Sequence, residues 1–191
     1  MTRIIAGQAG GRRIAVPAGS GTRPTGDRVR EAMFSSLEVE FGGSLAGLAV
    51  LDLYAGSGAI GLEALSRGAE RVLLVESDRK AADVVSGNVR TLGLPGATVV
   101  VKPAERVAAG PNPAAPYDVL FADPPYALET AALQQVLDDL VAHGWLADDA
   151  VVVVERGKRE PWAWPDGFDA LRDRKYGEAR LWYGHRVQEA S

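Results

Sequence analysis

Two short segments of this chain carry residue types that could hold a ligand and act on it. The first, residues 52–61 (DLYAGSGAIG), opens with a carboxylate and spaces three glycines as Gly-x-Gly-x-x-Gly. Glycine lets backbone approach a ligand closely and lets a helix start tightly after a strand. Glu76 follows 20 residues after Gly56, a separation at which a carboxylate can accept hydrogen bonds from the ribose of a nucleoside. The segment predicts a nucleoside-cofactor site, with an unliganded strand–helix turn as the alternative.

The residues around these glycines narrow the choice of cofactor. No Gly-Lys-Ser/Thr follows them, which excludes a P-loop. The spacing also matches the dinucleotide fingerprint, but Asp52 just before the loop would repel a pyrophosphate and attract a cation. S-adenosylmethionine fits better, with Asp52 holding its ammonium group and Glu76 its ribose. Ala104 and Glu105 would lie beside the adenine, although Glu105 could equally be a solvated surface residue. Asp78 is expected to cap the following helix, with support of the ribose corner as the alternative.

The second segment is the tetrad Asp123-Pro124-Pro125-Tyr126. Prolines fix φ and donate no backbone hydrogen bond, so the tetrad presents a carboxylate, a rigid carbonyl and an aromatic face together. This suits an exocyclic amine of a nucleobase: Asp123 and the Pro124 carbonyl would accept its two N–H groups while Tyr126 stacks on the base. Alignment of the nitrogen lone pair would supply most of the acceleration, and Asp123 could take the released proton. An ordinary proline turn is the alternative.

Alternating apolar segments predict the elements that position these groups. The strands are apolar throughout and are expected at 49–54, 71–75, 97–101, 117–122 and 151–155. The intervening helices are expected near 59–67, 79–92, 104–109 and 129–143. This alternation indicates an α/β fold with a doubly wound parallel sheet. The segments 171–176 and 180–187 predict an antiparallel C-terminal ribbon. Ligands of such sheets bind at the carboxyl ends of strands, where the strand order switches, and the first and fourth strands should flank that point.

The first 26 residues are predicted to form a separate arm. Segments 3–8 and 12–16 flank Gly10-Gly11 and predict a β-hairpin, and the Pro-, Gly-, Ser- and Thr-rich segment 17–26 predicts a loop. A domain boundary is therefore expected between residues 26 and 27, with the catalytic domain spanning 27–191. A helix over 27–41 should begin that domain, with one apolar stripe formed by Val29, Met33, Phe34, Leu37 and Phe41.

Charge is distributed unevenly along the chain. Residues 1–31 contain six Arg and two acidic residues, for a net +4, whereas the other 160 residues contain 15 basic and 23 acidic side chains, for −8. Arginine makes bidentate contacts to phosphate that lysine cannot make. A basic arm on an acidic body therefore predicts a polyanionic partner, and a merely solvated arm is the alternative.

Composition excludes several classes of protein. The chain has 191 residues, no Cys and two His, which excludes disulfides and Cys-ligated metal centres and predicts no metal site. No apolar run reaches the roughly 18 residues of a membrane span, and no secretory signal is visible. We therefore expect a soluble, cytoplasmic protein that makes no membrane contact. No interface stands out, so a monomer is the expected state.

Both motifs resemble those of Rossmann-like, class I methyltransferases that use S-adenosylmethionine, in which (Asp/Asn/Ser)-Pro-Pro-(Tyr/Phe/Trp) methylates exocyclic or amide nitrogens. The rest of the chain resembles the bacterial 16S rRNA guanine(966)-N2-methyltransferase family more specifically. The resemblance lies in Arg3-Ile4-Ile5-Ala6-Gly7 with Gly11-Arg12, in Arg23-Pro24-Thr25 with Asp27-Arg28-Val29-Arg30-Glu31 and Phe34, and in residues 52–58. It covers nearly the whole chain and is weakest at 110–116 and 156–175. Tyr54 stands where family members often have Phe.

The resemblance implies methyl transfer from S-adenosylmethionine to the N2 amine of one guanine in 16S rRNA, within the small ribosomal subunit or an assembly intermediate. The cofactor site would comprise Asp52, Tyr54, Ala55, Gly56, Gly58, Glu76, Ala104 and Glu105. The catalytic tetrad would be Asp123, Pro124, Pro125 and Tyr126. RNA phosphates would be contacted by Arg12, Arg13, Arg23, Arg28 and Arg30, with an intrahelical salt bridge as the alternative for Arg28.

Three rival functions remain open at this stage. The tetrad alone allows amines of DNA bases or a protein glutamine amide as substrates. A nicotinamide oxidoreductase would need a Tyr/Lys or His constellation, which is not evident. An RNA-binding assembly factor that keeps a methyltransferase fold would retain its activity when Asp123 is replaced by Ala.

Overall fold

The computed structural model describes residues 1–18 and 26–187. Its seven-stranded, mostly parallel sheet, antiparallel C-terminal strands and small N-terminal hairpin confirm the predicted α/β class. The chain divides into two compact units, Met1–Lys102 and Pro103–Ser191. Within the described ranges, no helix combines the length and apolar character that a membrane span requires. The domain boundary after residue 26 stays a prediction.

The first unit begins with the hairpin and continues as three strands alternating with helices. The hairpin is formed by β1 (Thr2–Arg3) and β2 (Arg13–Ile14), followed by α1 (Asp27–Glu40), β3 (Ala49–Asp52), α2 (Ala59–Ser66), β4 (Arg71–Glu76), α3 (Arg79–Leu92) and β5 (Ala97–Val101). The strands lie in the order β5–β4–β3 and are parallel, with Leu51 opposite Leu73 and Leu74 opposite Val99. Leu51 and Leu74 are fully buried, as expected for a sheet covered on both faces.

The second unit carries the remaining four strands. It contains α4 (Ala104–Ala108), β6 (Tyr117–Ala122), α5 (Thr130–Ala142), β7 (Leu146–Gly157), β8 (Phe168–Tyr176) and β9 (Ala179–Arg186). The strand order is β6–β7–β9–β8, with β6 parallel to β7 and β9 antiparallel to both of its neighbours. The predicted C-terminal ribbon is therefore confirmed.

Strand β7 is much longer than the predicted segment 151–155. It starts at Leu146, opposite Tyr117 of β6, and ends at Gly157, opposite Ala179 of β9. The apolar run marks only the part of the strand that is buried on both faces. The polar ends are held in the sheet by backbone pairing, which hydropathy does not report.

The predicted hairpin is confirmed, but its ladder is far shorter than segments 3–8 and 12–16 suggest. The N–H groups of Ile5 and Ala6 donate to the Glu63 carboxylate at 2.7 and 3.0 Å instead of to the opposite strand. The Ala9 N–H donates to Ser66 Oγ at 2.9 Å. Because these three N–H groups donate to residues of α2, the hairpin is bound to that helix and is not a free arm.

Candidate active site

Asp52, the last residue of β3, has an unusual environment for a carboxylate. It is 1% exposed, and its Oδ2 accepts a hydrogen bond from the Gly61 N–H at 3.0 Å. Its Oδ1 is buried and has no hydrogen-bond partner among the described residues. Burial, reinforced by the charge of Glu76, raises the pKa of Asp52 to about 7 against the opposing Gly61 hydrogen bond. A buried carboxylate oxygen without a donor favours a cationic ligand at this point.

Glu76, the last residue of β4, is fixed against the glycine loop. Its Oε2 accepts the Gly56 N–H at 2.9 Å, and its Oε1 accepts the Asp78 N–H at 2.8 Å. Each carboxylate oxygen keeps a second acceptor position. Asp78 caps α3 by accepting the Ala81 N–H at 2.8 Å, as the sequence predicted. Glu76 is therefore oriented by the loop before any ligand binds.

The glycine loop turns sharply from β3 into α2. Gly56 and Gly58 have φ of +57° and +79°, the left-handed region in which side chains are strained, and Gly58 is the N-cap of α2. The loop is tied to the sheet by the Ala55 N–H, which donates to the Val75 carbonyl at 2.9 Å. Tyr54 lies part-buried between β3 and the glycines. The predicted cofactor residues 52–58 thus meet Glu76 in one compact group.

Gly61 has a different role, because it lets α2 pack closely on β4. A Cβ at this position would lie 2.6 Å from Leu74 Cδ2 and 2.7 Å from Val72 Cγ1. We expect Gly61→Ala to lower the free energy of unfolding by about 1–3 kcal/mol through overpacking. That loss exceeds the roughly 0.5–1 kcal/mol that alanine contributes in a helix. Urea unfolding measures the difference.

Gly87 in α3 is the matched control for this prediction. A Cβ there would have only Arg90 Nη2 within 4 Å, at 3.9 Å, so alanine fits without strain. Gly87→Ala should stabilise the protein by about 0.4–1 kcal/mol. If both alanine variants shift the urea midpoint in the same direction, close packing of Gly61 on β4 does not explain the effect.

The tetrad follows directly after β6. Asp123 is part-buried, Pro124 is buried, and Tyr126 is 62% exposed. The Pro125 carbonyl accepts the Leu128 N–H at 2.9 Å and so closes a turn. The Pro124 carbonyl takes no part in that turn, and the exposed Tyr126 ring offers a face for stacking. The contacts of these groups with a target amine stay a prediction.

The remaining predicted cofactor residues, Ala104 and Glu105, open α4 in the second unit. Ala104 is buried and Glu105 is exposed. Their proposed contact with adenine stays a prediction.

The predicted RNA-contacting arginines occupy different environments. Arg13 and Arg28 are exposed, and Arg28 forms no ion pair among the described residues, so the intrahelical salt bridge is absent. Arg12 is exposed, but its guanidinium donates to the Leu92 carbonyl at 2.8 Å and to the Thr91 carbonyl, the last carbonyls of α3. Arg23 lies outside the described residues.

Arg30 is 1% exposed and anchors the hairpin to α1. Its Nη2 donates to Asp27 Oδ1 and the Arg3 carbonyl, each at 2.8 Å, and to Thr2 Oγ1 at 3.1 Å. Burial opposes ionisation of Asp27, but hydrogen bonds from Arg3 and Arg30 outweigh it and lower the pKa of Asp27. In this structure Arg30 has no surface to offer a phosphate.

Sequence reasoning missed two buried polar residues that anchor the hairpin. Glu63 is fully buried, and Asn88 exchanges two hydrogen bonds with Ala15 while donating a third to the Ser57 carbonyl at 2.8 Å. The signal was present: Glu63 interrupts an apolar helix, and Asn88 continues the buried stripe of Ala81, Val85 and Leu92 in α3. Asn88 therefore links the hairpin to the glycine loop.

Known proteins similar to this chain identify its family. Residues 2–185 match the family described as "Conserved hypothetical protein 95". Ribosomal RNA small subunit methyltransferase D of Escherichia coli K12 is 40% identical over 153 residues, covering 80% of this chain and 73% of its own length. The Haemophilus influenzae protein of the same name is 35% identical over 177 residues, covering 92% and 89%.

A solved structure also resembles this chain over nearly its whole length. The Escherichia coli structure described as "Putative methyltransferase yhhF" superposes with a TM-score of 0.83 at 35% identity, over 98% of each chain. This agreement extends over both compact units and confirms the resemblance inferred from the motifs. The chain belongs to the "Conserved hypothetical protein 95" family, and two of its relatives are named ribosomal RNA small subunit methyltransferase D.

Proposed function

We propose that this chain transfers a methyl group from S-adenosylmethionine to the N2 amine of one guanine in 16S rRNA. The observation that carries the proposal is the Asp123-Pro124-Pro125-Tyr126 tetrad at the end of β6, with its aromatic ring exposed. The relatives named ribosomal RNA small subunit methyltransferase D support the reaction class and the RNA substrate. The target base and the N2 position rest on the motif resemblance.

The residues of the first unit fit the cofactor. S-adenosylmethionine supplies an electrophilic methyl group on a cationic sulfur. Asp52 Oδ1, buried and lacking a donor, would accept its ammonium group. Glu76, already oriented by the Gly56 N–H, would accept the ribose hydroxyls. The backbone of Gly56 and Gly58 would allow close approach, and Ala104 and Glu105 would border the adenine.

The second unit carries the groups that act on the acceptor. Asp123 and the Pro124 carbonyl would accept the two N–H groups of the guanine amine. These hydrogen bonds draw the nitrogen lone pair out of conjugation with the ring and aim it at the methyl carbon. Tyr126 would stack on the base and hold its plane. The new N–C bond would form as the methyl–sulfur bond breaks, with that bond's electron pair left on a neutral thioether sulfur. The surplus proton would then leave the nitrogen for Asp123 or for water.

RNA binding is assigned to the exposed arginines of the hairpin region. Arg13 and Arg28 are free to contact phosphates, and Arg23 remains a proposed contact outside the described residues. Arg12 and Arg30 would act indirectly, because they hold the hairpin in place. An unpaired guanine suits the tetrad, since a stacked base must first be extruded at a cost of a few kcal/mol. The proposed setting is cytoplasmic, with a monomer acting on the small subunit or an assembly intermediate.

Methyl transfer from radiolabelled S-adenosylmethionine tests this function. The acceptors are small ribosomal subunits lacking the modification, protein-free 16S rRNA and duplex DNA. Label recovered as N2-methylguanine from subunits or rRNA is the expected result, and the better acceptor identifies the natural substrate. Label in DNA alone, or none in either RNA acceptor, would overturn the assignment.

Cofactor affinity is expected to depend on pH through Asp52. The ionised carboxylate binds the ammonium group, and the raised pKa of about 7 means that a proton must leave Asp52 when the cofactor binds near neutral pH. The dissociation constant should therefore be about tenfold larger at about pH 6 than at about pH 8. Isothermal titration calorimetry across this pH range measures the dissociation constant. Asp52→Asn, which cannot titrate, should show no such dependence, and a flat profile in the unmodified protein would contradict the prediction.

A further inference from the structure

Strand β7 contains a buried cation that the proposed reaction does not yet use. Arg156 follows the fully buried Val152, Val153 and Val154 and is itself 6% exposed. Burying a guanidinium costs solvation that an ion pair seldom recovers completely, and an apolar residue of similar size would usually be at least as stable. The contacts of Arg156 are therefore informative about its role.

Arg156 is attached to the segment that follows the tetrad. Its Nη2 donates to the Leu128 carbonyl at 2.9 Å. The Leu128 N–H in turn donates to the Pro125 carbonyl at 2.9 Å and closes the turn over 125–128. Tyr126 thus lies inside a turn whose last residue is held by Arg156. The guanidinium also forms an ion pair with the part-exposed Glu160, in which Nε lies 3.0 Å from Oε2.

Strand register places Arg156 beside the tetrad. Ala122 of β6 is opposite Val154 of β7, and the two strands are parallel. Arg156 lies two residues beyond Val154, and Pro124 lies two residues beyond Ala122, where β6 ends. A side chain at this position reaches the segment after the tetrad from the sheet, where the Arg156 backbone pairs with Arg180 of β9.

The tetrad needs such support because its prolines constrain only part of the backbone. Each proline fixes its own φ, but no ring fixes ψ of Pro125 or the dihedral angles of Tyr126 and Ala127. These angles decide where the Tyr126 ring lies relative to the Pro124 carbonyl. One hydrogen bond from a charged donor that cannot deprotonate, to the end of the turn, removes much of this freedom.

We propose that Arg156 is a positioning residue for the acceptor base. It acts through the 125–128 turn, which it holds so that Tyr126 and the Pro124 carbonyl meet the guanine in the reactive orientation. This inference rests on the proposed function and adds a residue on a different strand to it.

Arg156→Met tests the proposal, because methionine fills the space without donating a hydrogen bond. We expect kcat for methylation of the RNA acceptor to fall about 10- to 100-fold, since small displacements of reacting groups have effects of this size. The dissociation constant of S-adenosylmethionine should stay unchanged. In Arg156→Ala, added guanidinium should restore part of the lost kcat, and the same addition should not restore Arg156→Met. A purely structural role would not produce this difference in rescue.

Two matched variants separate the turn contact from general charge effects. Glu160→Gln removes the ion pair but leaves the Leu128 contact, and Lys158→Met removes a neighbouring cation that pairs with Glu178 at 2.6 Å. Both variants should have the same kcat as the unmodified protein. If Arg156→Met does not fold, Arg156→Lys replaces it, because lysine keeps the charge near Glu160 but lacks the second nitrogen for Leu128, and its kcat should fall.

A folded Arg156→Met or Arg156→Lys variant with the kcat of the unmodified protein would overturn the proposal. So would a loss of activity that Glu160→Gln reproduces in full, since the ion pair would then explain it. Failure of the unmodified protein to methylate RNA is a separate result, visible before any variant is compared, and counts against the proposed function itself.

Discussion

Asp123→Ala is expected to lower the rate of methyl transfer at least about 100-fold while S-adenosylmethionine binds as before. The carboxylate would be lost from a position directly after β6, where its oxygens are proposed to orient the guanine amine and to receive the proton. Alanine also removes an acceptor without adding bulk. Single-turnover transfer to RNA with saturating cofactor isolates this step from product release.

Asp149→Ala is the matched control, because Asp149 is an exposed carboxylate on β7 in the same unit. It should leave the rate unchanged. Asp123→Asn divides the proposed roles further, since the amide still accepts one N–H but cannot take a proton. A rate near that of the unmodified protein in Asp123→Asn would assign the carboxylate to orientation alone. Unimpaired transfer by Asp123→Ala would show that the Asp123 carboxylate takes no part in the methyl-transfer step.

Asp52→Asn is expected to raise the dissociation constant of S-adenosylmethionine about 30-fold or more, which corresponds to the roughly 2 kcal/mol or more lost when a buried charge pair loses one partner. The amide keeps the shape of the side chain and can still accept the Gly61 N–H, so the loop should stay in place. Only the charge opposite the ligand's ammonium group is removed. Calorimetric titration measures the effect directly.

The same variant should stabilise the ligand-free protein at high pH. The pKa of Asp52 in the folded state, about 7, lies above its usual value of 3.8, so the unfolded chain ionises more readily. Stability contributed by the protonated form is present at low pH and is lost as the pH rises through about 7. Asp52→Asn removes that loss, so its melting temperature should exceed that of the unmodified protein above neutral pH.

Asp83→Asn, at an exposed carboxylate of α3, should change neither the affinity for S-adenosylmethionine nor the melting temperature. Tight binding by Asp52→Asn would show that Asp52 only shapes the loop.

The elements of the core were largely predictable because their signals are local. Helix α3 (Arg79–Leu92) and strands β5 (Ala97–Val101) and β6 (Tyr117–Ala122) match the predicted bounds. Apolar periodicity and the glycines that end or begin elements act over a few residues. The two motifs were equally visible, since the φ restrictions of glycine and proline are properties of single residues.

The surroundings of each side chain were not predictable in the same way. Arg13 and Arg30 belong to the same basic stretch, yet Arg13 is exposed and Arg30 is buried against Thr2 and Arg3. Helical spacing from Phe34 and Leu37 places Arg30 on the buried face of α1, but that spacing does not show which groups accept its hydrogen bonds. The difference follows from where the hairpin lies on α1, which depends on packing between distant segments.

By itself the sequence determined the α/β alternation, the position of the glycine loop and the tetrad, and through them the reaction class. Only the tertiary structure decided that Asp52 Oδ1 is buried without a donor, that β7 extends from Leu146 to Gly157, and that Arg156 holds the turn after Tyr126. The physical reason is that secondary structure responds to neighbours along the chain. Burial and hydrogen-bond partners are set by residues far apart in sequence, as when Arg156 reaches Leu128 from 28 residues away.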